Sequence, residues 1–224
     1  MACPGTERAP NERLAVRWLG RVPYDRALAL QDETLRARLE DRIPDTLFLL
    51  EHEPVYTLGR GAREEDLLGA PARLGVPVFR VGRGGAATFH GPGQLVAYPI
   101  VALARQGRDV RRYVQALEEV AIRVCRGFGV EAFRRPGLVG VWSRGGKIAS
   151  IGVGVRRWVA YHGLALNVET DLRFFEAIVP CALPGESVTS IARERGDRVG
   201  VEEAVPVLVR EFCSVFGFEA PSEP

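Results

Sequence analysis

The chain has 224 residues, 46% hydrophobic and 26% charged, a composition that suits one globular domain with a sizeable core and excludes disorder, collagen-like repeats and a multidomain array. Thirty Lys and Arg against 28 Asp and Glu leave a formal net charge of +2, too small for bulk electrostatics to point to nucleic acid. No stretch reaches the roughly 18 apolar residues of a membrane helix, and the longest candidate, Leu95 to Ala104, is broken by Pro99.

Residues 1–13 mix proline and charge and are expected to be a flexible segment; without an apolar signal stretch, the chain is expected to stay in the cytoplasm. Leu14 to Leu19 alternates as a strand, and Pro23 opens a helix with Tyr24, Leu28, Leu35 and Leu39 at helical spacing. Gln31 falls in that apolar stripe, so its amide is either hydrogen-bonded in the core or turned toward a site. Thr46 to Leu58 reads as two strands around a bend at Pro54, with His52 between them, ending at Gly59-Arg60-Gly61. Val76 to Val81 predicts a short strand. A glycine-rich loop, Gly82 to Gly93, then leads into a strand from Leu95 to Val101.

Asp109 is a good N-cap for a helix with Val110, Tyr113, Leu117, Val120, Val124 and Phe128 on one face, closed by Gly129. Val130 to Val168 returns to period two as a meander, with turns at Arg144-Gly145-Gly146 and Arg156-Arg157, and Lys147 begins one of its strands. Asp171 to Ile178 predicts a short helix and Val179 to Ser187 a loop held by Pro180 and Pro184. A last helix runs through Val205, Leu208, Phe212 and Phe216, its start obscured by Pro206. The expected architecture is α+β: a single domain over 14–217 with a central mixed sheet flanked by helices, and a C-terminal tail over 218–224.

Several residues are able to carry chemistry. Of the thirty basic side chains only Lys147 is lysine; arginine stays protonated in proteins, so a lone lysine is either a survivor of coding bias or has a task that needs proton exchange. The loop from Gly82 to Gly93 fits neither a Rossmann fingerprint nor a P-loop. It is either a tight turn or the wall of a tunnel for an extended apolar ligand, with Arg83 and His90 at its polar end. The four cysteines show no CxxC pair, which fits reduced thiols. Cys3 lies in the terminal segment, Cys125 and Cys213 sit beside core positions of helices, and Cys181 lies between two prolines that restrict its loop. A free thiol has a pKa near ~8.5 and needs a cation or base beside it to be reactive; Lys147 and the three histidines are the candidates. His52, His90, His162 and Cys181 share none of the short spacings of helical metal motifs, so no metal is expected.

Three segments resemble the lipoyl(octanoyl) transferase family: Arg83-Gly84-Gly85-Ala86-Ala87-Thr88-Phe89-His90-Gly91-Pro92-Gly93-Gln94-Leu95, then Gly146-Lys147-Ile148-Ala149-Ser150-Ile151-Gly152, then His162-Gly163-Leu164-Ala165-Leu166-Asn167 followed by Pro180-Cys181. Glu51-His52-Glu53-Pro54 through Leu58-Gly59-Arg60 fits as well, and their order and spacing make the likeness specific. The resemblance implies the catalytic-domain fold of lipoate and biotin ligases and a transfer through an acyl-cysteine on Cys181, with Lys147 lowering that thiol's pKa. It implies an acyl-chain site lined by Arg83 to His90, by Ser150, Ile151 and Gly152, and by Gly163, Leu164 and Ala165, with His52 and His162 in support. It further implies octanoyl-acyl carrier protein as donor and, as acceptors, apo-lipoyl domains of 2-oxoacid dehydrogenase complexes and the glycine cleavage H protein. No cofactor, nucleic acid or membrane is implied, and a monomer is expected. The family commonly has Pro-Cys-Gly, whereas Ala182 follows Cys181 here, which bears on the conformation of the loop. The alternatives are an ATP-dependent lipoate or biotin ligase on the same fold and, from a different class, a non-catalytic acyl-binding module.

Overall fold

The computed structural model describes residues 14–68, 74–103, 107–179 and 185–219; the expectations for residues 1–13, Cys3, the Pro180 to Pro184 stretch with Cys181, and the tail beyond 219 lie outside them. Strand β1 (Ala15–Val22) leads through Pro23 into α1 (Tyr24–Leu39). The two strands read around Pro54, β2 (Thr46–His52) and β3 (Val55–Leu58), part company there and join different sheets. After β4 (Val78–Arg80) the structure departs from the expected loop, because Ala87–His90 form a strand, β5, paired antiparallel with β3. All four of its residues are buried, Ala87 and Phe89 on one face and Thr88 and His90 on the other, and the flanking glycines hide the strand in sequence. β6 (Gln94–Ile100) follows, and then α2 (Val110–Gly127), where the Asp109 carboxylate caps the helix by accepting from Arg112 N.

The meander has three strands: β7 (Val141–Ser143), β8 (Gly146–Arg156) and β9 (Val159–Asn167). The β8–β9 hairpin turns at Arg157-Trp158, one residue later than expected, with φ of 46° and 65°, the left-handed pair that a two-residue turn demands to match strand twist. Asp171 caps a 3-10 turn over Leu172–Ala177. A short helix, α3 (Ile191–Arg195), went unforeseen. The last helix, α4 (Val201–Phe216), contains Pro206 rather than starting after it, and Glu203 accepts from the Gly200 N–H at its start.

Six strands form one mixed sheet in the order β1-β2-β6-β9-β8-β7, and three form a small sheet, β4-β3-β5. Alternation along β2 sets the layers: Leu47 and Leu49 pack under α2 and α4, while Phe48 and Leu50 pack under α1. Covered on both faces, β2 reads as a continuous apolar run, as such strands do. The small sheet buries Tyr56, Leu58, Ala87 and Phe89 against Phe175 and Ile178. A mixed sheet flanked by helices is thus observed, with the small sheet lying beside the α1 face of the large one. Among the described residues no helix is long and apolar enough to cross a membrane.

Candidate active site

A cavity opens between the two sheets, lined by Tyr24, Arg83, Gly85, Ala86, Thr88, His90, Val96, Tyr98, Ser150, Ile151, Gly152, His162, Gly163, Leu164 and Ala165. Its floor follows from register. Paired residues of antiparallel strands share a face, and Ser150 opposes Ala165 while Gly152 opposes Gly163, so two successive ranks carry almost no side chain. The neighbours leave room for nothing larger: a Cβ on Gly152 would lie 2.9 Å from Gly84 O, and one on Gly163 2.2 Å from Ala97 O. The strap Arg83-Gly84 is tied down over this floor, since Gly84 N donates to Val153 O at 2.9 Å and Arg83 donates to Thr57 O and Oγ1, both at 2.8 Å. A trough of this shape accepts a slender apolar chain.

Around the trough runs a buried polar network. His52 Nδ1 donates to Val22 O at 2.9 Å, leaving Nε2 to accept from the Tyr98 hydroxyl at 2.8 Å. His90 Nδ1 donates to Gln94 Oε1 at 2.7 Å; Gln94 Nε2 donates to Asn167 Oδ1, and Asn167 Nδ2 to Thr189 O. Burial lowers His52 and His162 to about 4 and, helped by His52 and Arg83, holds His90 well below the usual histidine value. At neutral pH all three imidazoles are therefore uncharged, and the cavity wall carries the Arg83 guanidinium.

This neutrality has a consequence for stability. A buried neutral histidine that titrates near 6.5 when unfolded contributes stability that is complete above that pH and lost as pH falls toward the folded value, because the unfolded chain then binds more protons. At about 1.36 kcal/mol per unit, His52 and His162 each contribute on the order of 3 kcal/mol. Urea unfolding is expected to show the protein losing several kcal/mol between pH 7 and pH 5, and less in a His52→Gln variant. A flat profile in the unsubstituted protein would contradict neutral burial of these rings.

Lys147 lies at the start of β8, three positions before Ser150, and is 3% exposed. Its Nζ donates to Val139 O at 3.1 Å and lies 4.9 Å from the Trp142 ring centroid. Its backbone pairs with the segment that follows residues 180–184: Lys147 N donates to Ser187 O at 2.8 Å, and Thr189 N to Lys147 O at 3.0 Å. On the other side of that stretch, Val179 N donates to Asp66 O at 2.8 Å. Cys181 itself falls outside the described residues. Burial pushes the Cys125 thiol up to about 12 and raises that of Cys213, so both are poor nucleophiles.

The structure thus gathers Arg83, Gly85, Ala86, Thr88, His90, Ser150, Ile151, Gly152, Gly163, Leu164 and Ala165 around one cavity, with His162 beside them. Ala87 and Phe89 are not in its wall, because alternation in β5 sends them into the core of the small sheet while Thr88 and His90 face the cavity. Gly84 contributes the strap, and His52 stands one shell back, holding Tyr98. Tyr24, Val96 and Tyr98 line the cavity too, although the sequence marks Tyr24 only as part of a helical stripe and the other two only as part of a strand; for the tyrosines, a hydroxyl within an apolar run is the available signal. Gln94 and Asn167 stood at the ends of motifs without an assigned role, since their hydrogen bond spans 73 residues.

Residues 23–213 match the model of the lipoyl protein ligase A/B catalytic domain. The chain is 49% identical over 179 residues to an octanoyltransferase of Geobacter metallireducens, covering 80% of this chain and 82% of that one. It is also 49% identical over 203 residues to an octanoyltransferase of Rubrobacter xylanophilus, covering 88% and 91%. Among solved structures, protein Ta0514 of T. acidophilum with bound lipoic acid superposes with a TM-score of 0.74 at 18% identity, covering 93% of this chain and 87% of that one. Lipoate-protein ligase A bound with ATP gives 0.67 at 18% identity, covering 93% and 87%. The biotin protein ligase of Aquifex aeolicus gives 0.52 at 9%, covering 92% and 69%, so the architecture is that of these ligases' catalytic domains. The chain belongs to the lipoyl protein ligase A/B catalytic-domain family and, within it, to the octanoyltransferases.

Proposed function

We propose that the chain moves an octanoyl group from octanoyl-acyl carrier protein to a lysine of an apo-lipoyl domain, by way of a thioester on Cys181. The observation that carries this reading is the placement of Lys147. The only lysine of the sequence is buried at the head of the strand whose Ser150 and Gly152 floor the cavity, and it is paired in its backbone with the segment that follows the Cys181 stretch. The acyl chain lies in the trough, and Arg83, Ser150, Gly152, Gly163 and Ala165 are its binding residues.

In the first half-reaction the Cys181 thiolate attacks the thioester carbonyl, a new carbon–sulfur bond forms, and the carrier's thiolate leaves. The Lys147 ammonium stabilises the attacking thiolate and supplies the departing sulfur with a proton. In the second, the amine of the lipoyl-domain lysine attacks the acyl-enzyme, Cys181 leaves as thiolate, and the neutral Lys147 amine takes the proton that the new amide sheds. One thioester replaces another before the amide forms, so the reaction runs without nucleotide. The acceptors are the lipoyl domains of 2-oxoacid dehydrogenase complexes and the glycine cleavage H protein.

The test is a transfer assay with octanoyl-acyl carrier protein and an apo-lipoyl domain, read by the mass of the acceptor. An octanoyl amide on the acceptor lysine in the absence of ATP is expected. Transfer that requires ATP and free octanoate would assign the chain to acid activation. Tight binding of the acyl group with no transfer would make it a binding module.

A further inference from the structure

The trough has an end wall, and it is built from a break in the sheet. The β6–β9 ladder stops at Ala97 opposite Leu164 and resumes in the same register at Ala160, whose N–H donates to Val101 O at 2.9 Å. Between them Pro99 faces His162, and proline has no N–H to give to the ladder. His162 takes a left-handed backbone, φ 57°, which is costly for a residue with a side chain and persists only where its surroundings impose it. Its N–H is gripped by the Gln31 side chain, Oε1 at 2.8 Å. Gln31 is 2% exposed and its Nε2 has no hydrogen-bond partner among the described residues, so the amide is committed to His162 at the expense of its own satisfaction.

The bend redirects a side chain. Ala160 and Leu164 pack on the α2 and α4 face, and strict alternation would send His162 there too. Its ring instead lines the cavity, edge-on to Tyr98 at 6.2 Å. The Tyr161 ring, 4.9 Å from that of His162, covers Gly154 in the next rank and closes the trough there. His162 opposes Val153, three residues along β8 from Ser150, or about 10 Å at the rise of a strand, on the scale of an extended eight-carbon chain.

We propose that Gln31 is a positioning residue that sets the acyl length accepted, by holding His162 in the left-handed conformation that makes its ring the end wall. This rests on the reading that the trough holds the acyl chain with its thioester at the Lys147 end. Without an acceptor at position 31, His162 relaxes toward extended backbone, its ring swings out, and chains longer than octanoyl fit.

The experiment is competition among acyl-carrier-protein thioesters of six to fourteen carbons, on variants shown to be folded by thermal unfolding. Gln31→Leu is expected to raise the dodecanoyl-to-octanoyl ratio of kcat/KM at least tenfold, through KM more than kcat. Gln31→Glu, which keeps an acceptor oxygen, is expected to return the ratio to within threefold of the unsubstituted protein. His162→Ala is expected to reproduce the shift, with Gln31→Leu adding nothing on top of it, as two residues acting through one contact require. Should Gln31→Leu fail to fold, Gln31→Met, equally flexible and lacking the acceptor, takes its place. A shift with His162→Ala and none with Gln31→Leu or Met would overturn the role of Gln31 while leaving the acyl trough standing. No shift with either residue replaced would overturn both.

Discussion

Lys147→Arg is expected to lower kcat/KM for octanoyl transfer by about 10²- to 10⁴-fold, the range in which a positioned acid–base group acts, although the positive charge is kept. Two features of the site lead to this. An ammonium can give up its proton and take one back, whereas a guanidinium stays protonated, so arginine could stabilise the Cys181 thiolate but not receive the proton of the incoming amine. The pocket is also cut for lysine: Gly140, at φ 137°, sits so close that a Cβ there would lie 2.7 Å from Lys147 Cε, and Trp142, with no exposed surface, packs against the head group. The two causes separate in a rescue experiment. Lys147→Ala supplied with a small primary amine should recover transfer, and supplied with guanidinium should not. Recovery with both in equal measure would show that charge alone is needed.

Cys181→Ser is expected to cut turnover by a factor on the order of 10³ or more, as removal of a covalent nucleophile does elsewhere. An alkoxide does not form beside an ammonium as a thiolate does, so the variant should bind acyl carrier protein and fail to accept its acyl group. Cys125→Ser and Cys213→Ser form the contrast. Both thiols are buried with raised pKa values, and their loss should affect stability more than transfer, with rates within about tenfold of the unsubstituted protein. Transfer that survived in Cys181→Ser and vanished in one of the others would relocate the nucleophile.

Those two side chains were conspicuous in sequence for different reasons. Lys147 stood out by composition alone, an ammonium in a chain that otherwise uses arginine. Cys181 stood out by its prolines and by the company of motifs. Helix boundaries were readable where a side chain caps them, as Asp109 does, and unreadable at α4, where Pro206 is accommodated within the helix. β5 was hidden because glycine content outweighs four alternating residues in any local reading, yet it is the strand that decides which of residues 83 to 90 face the cavity.

The rest of the site is long-range and could not be read locally. Tyr98 looks like one more core aromatic until His52, 46 residues away, accepts a hydrogen bond from its hydroxyl. Gln31 was open between a core and a site role, and the structure answers with a partner 131 residues away. Pro99 carried a visible warning, since a proline deep in a strand must face a missing bond, but only the register identifies His162 as the residue left opposite it.

The central claim is the covalent route, and it is tested most directly by intact-protein and peptide mass spectrometry after mixing the protein with octanoyl-acyl carrier protein, without ATP, beside Cys181→Ser. The account predicts an octanoyl adduct on the Cys181 peptide, labile to hydroxylamine, absent from the variant and discharged by an apo-lipoyl domain. An active protein that transfers octanoate with no adduct on Cys181 would contradict it.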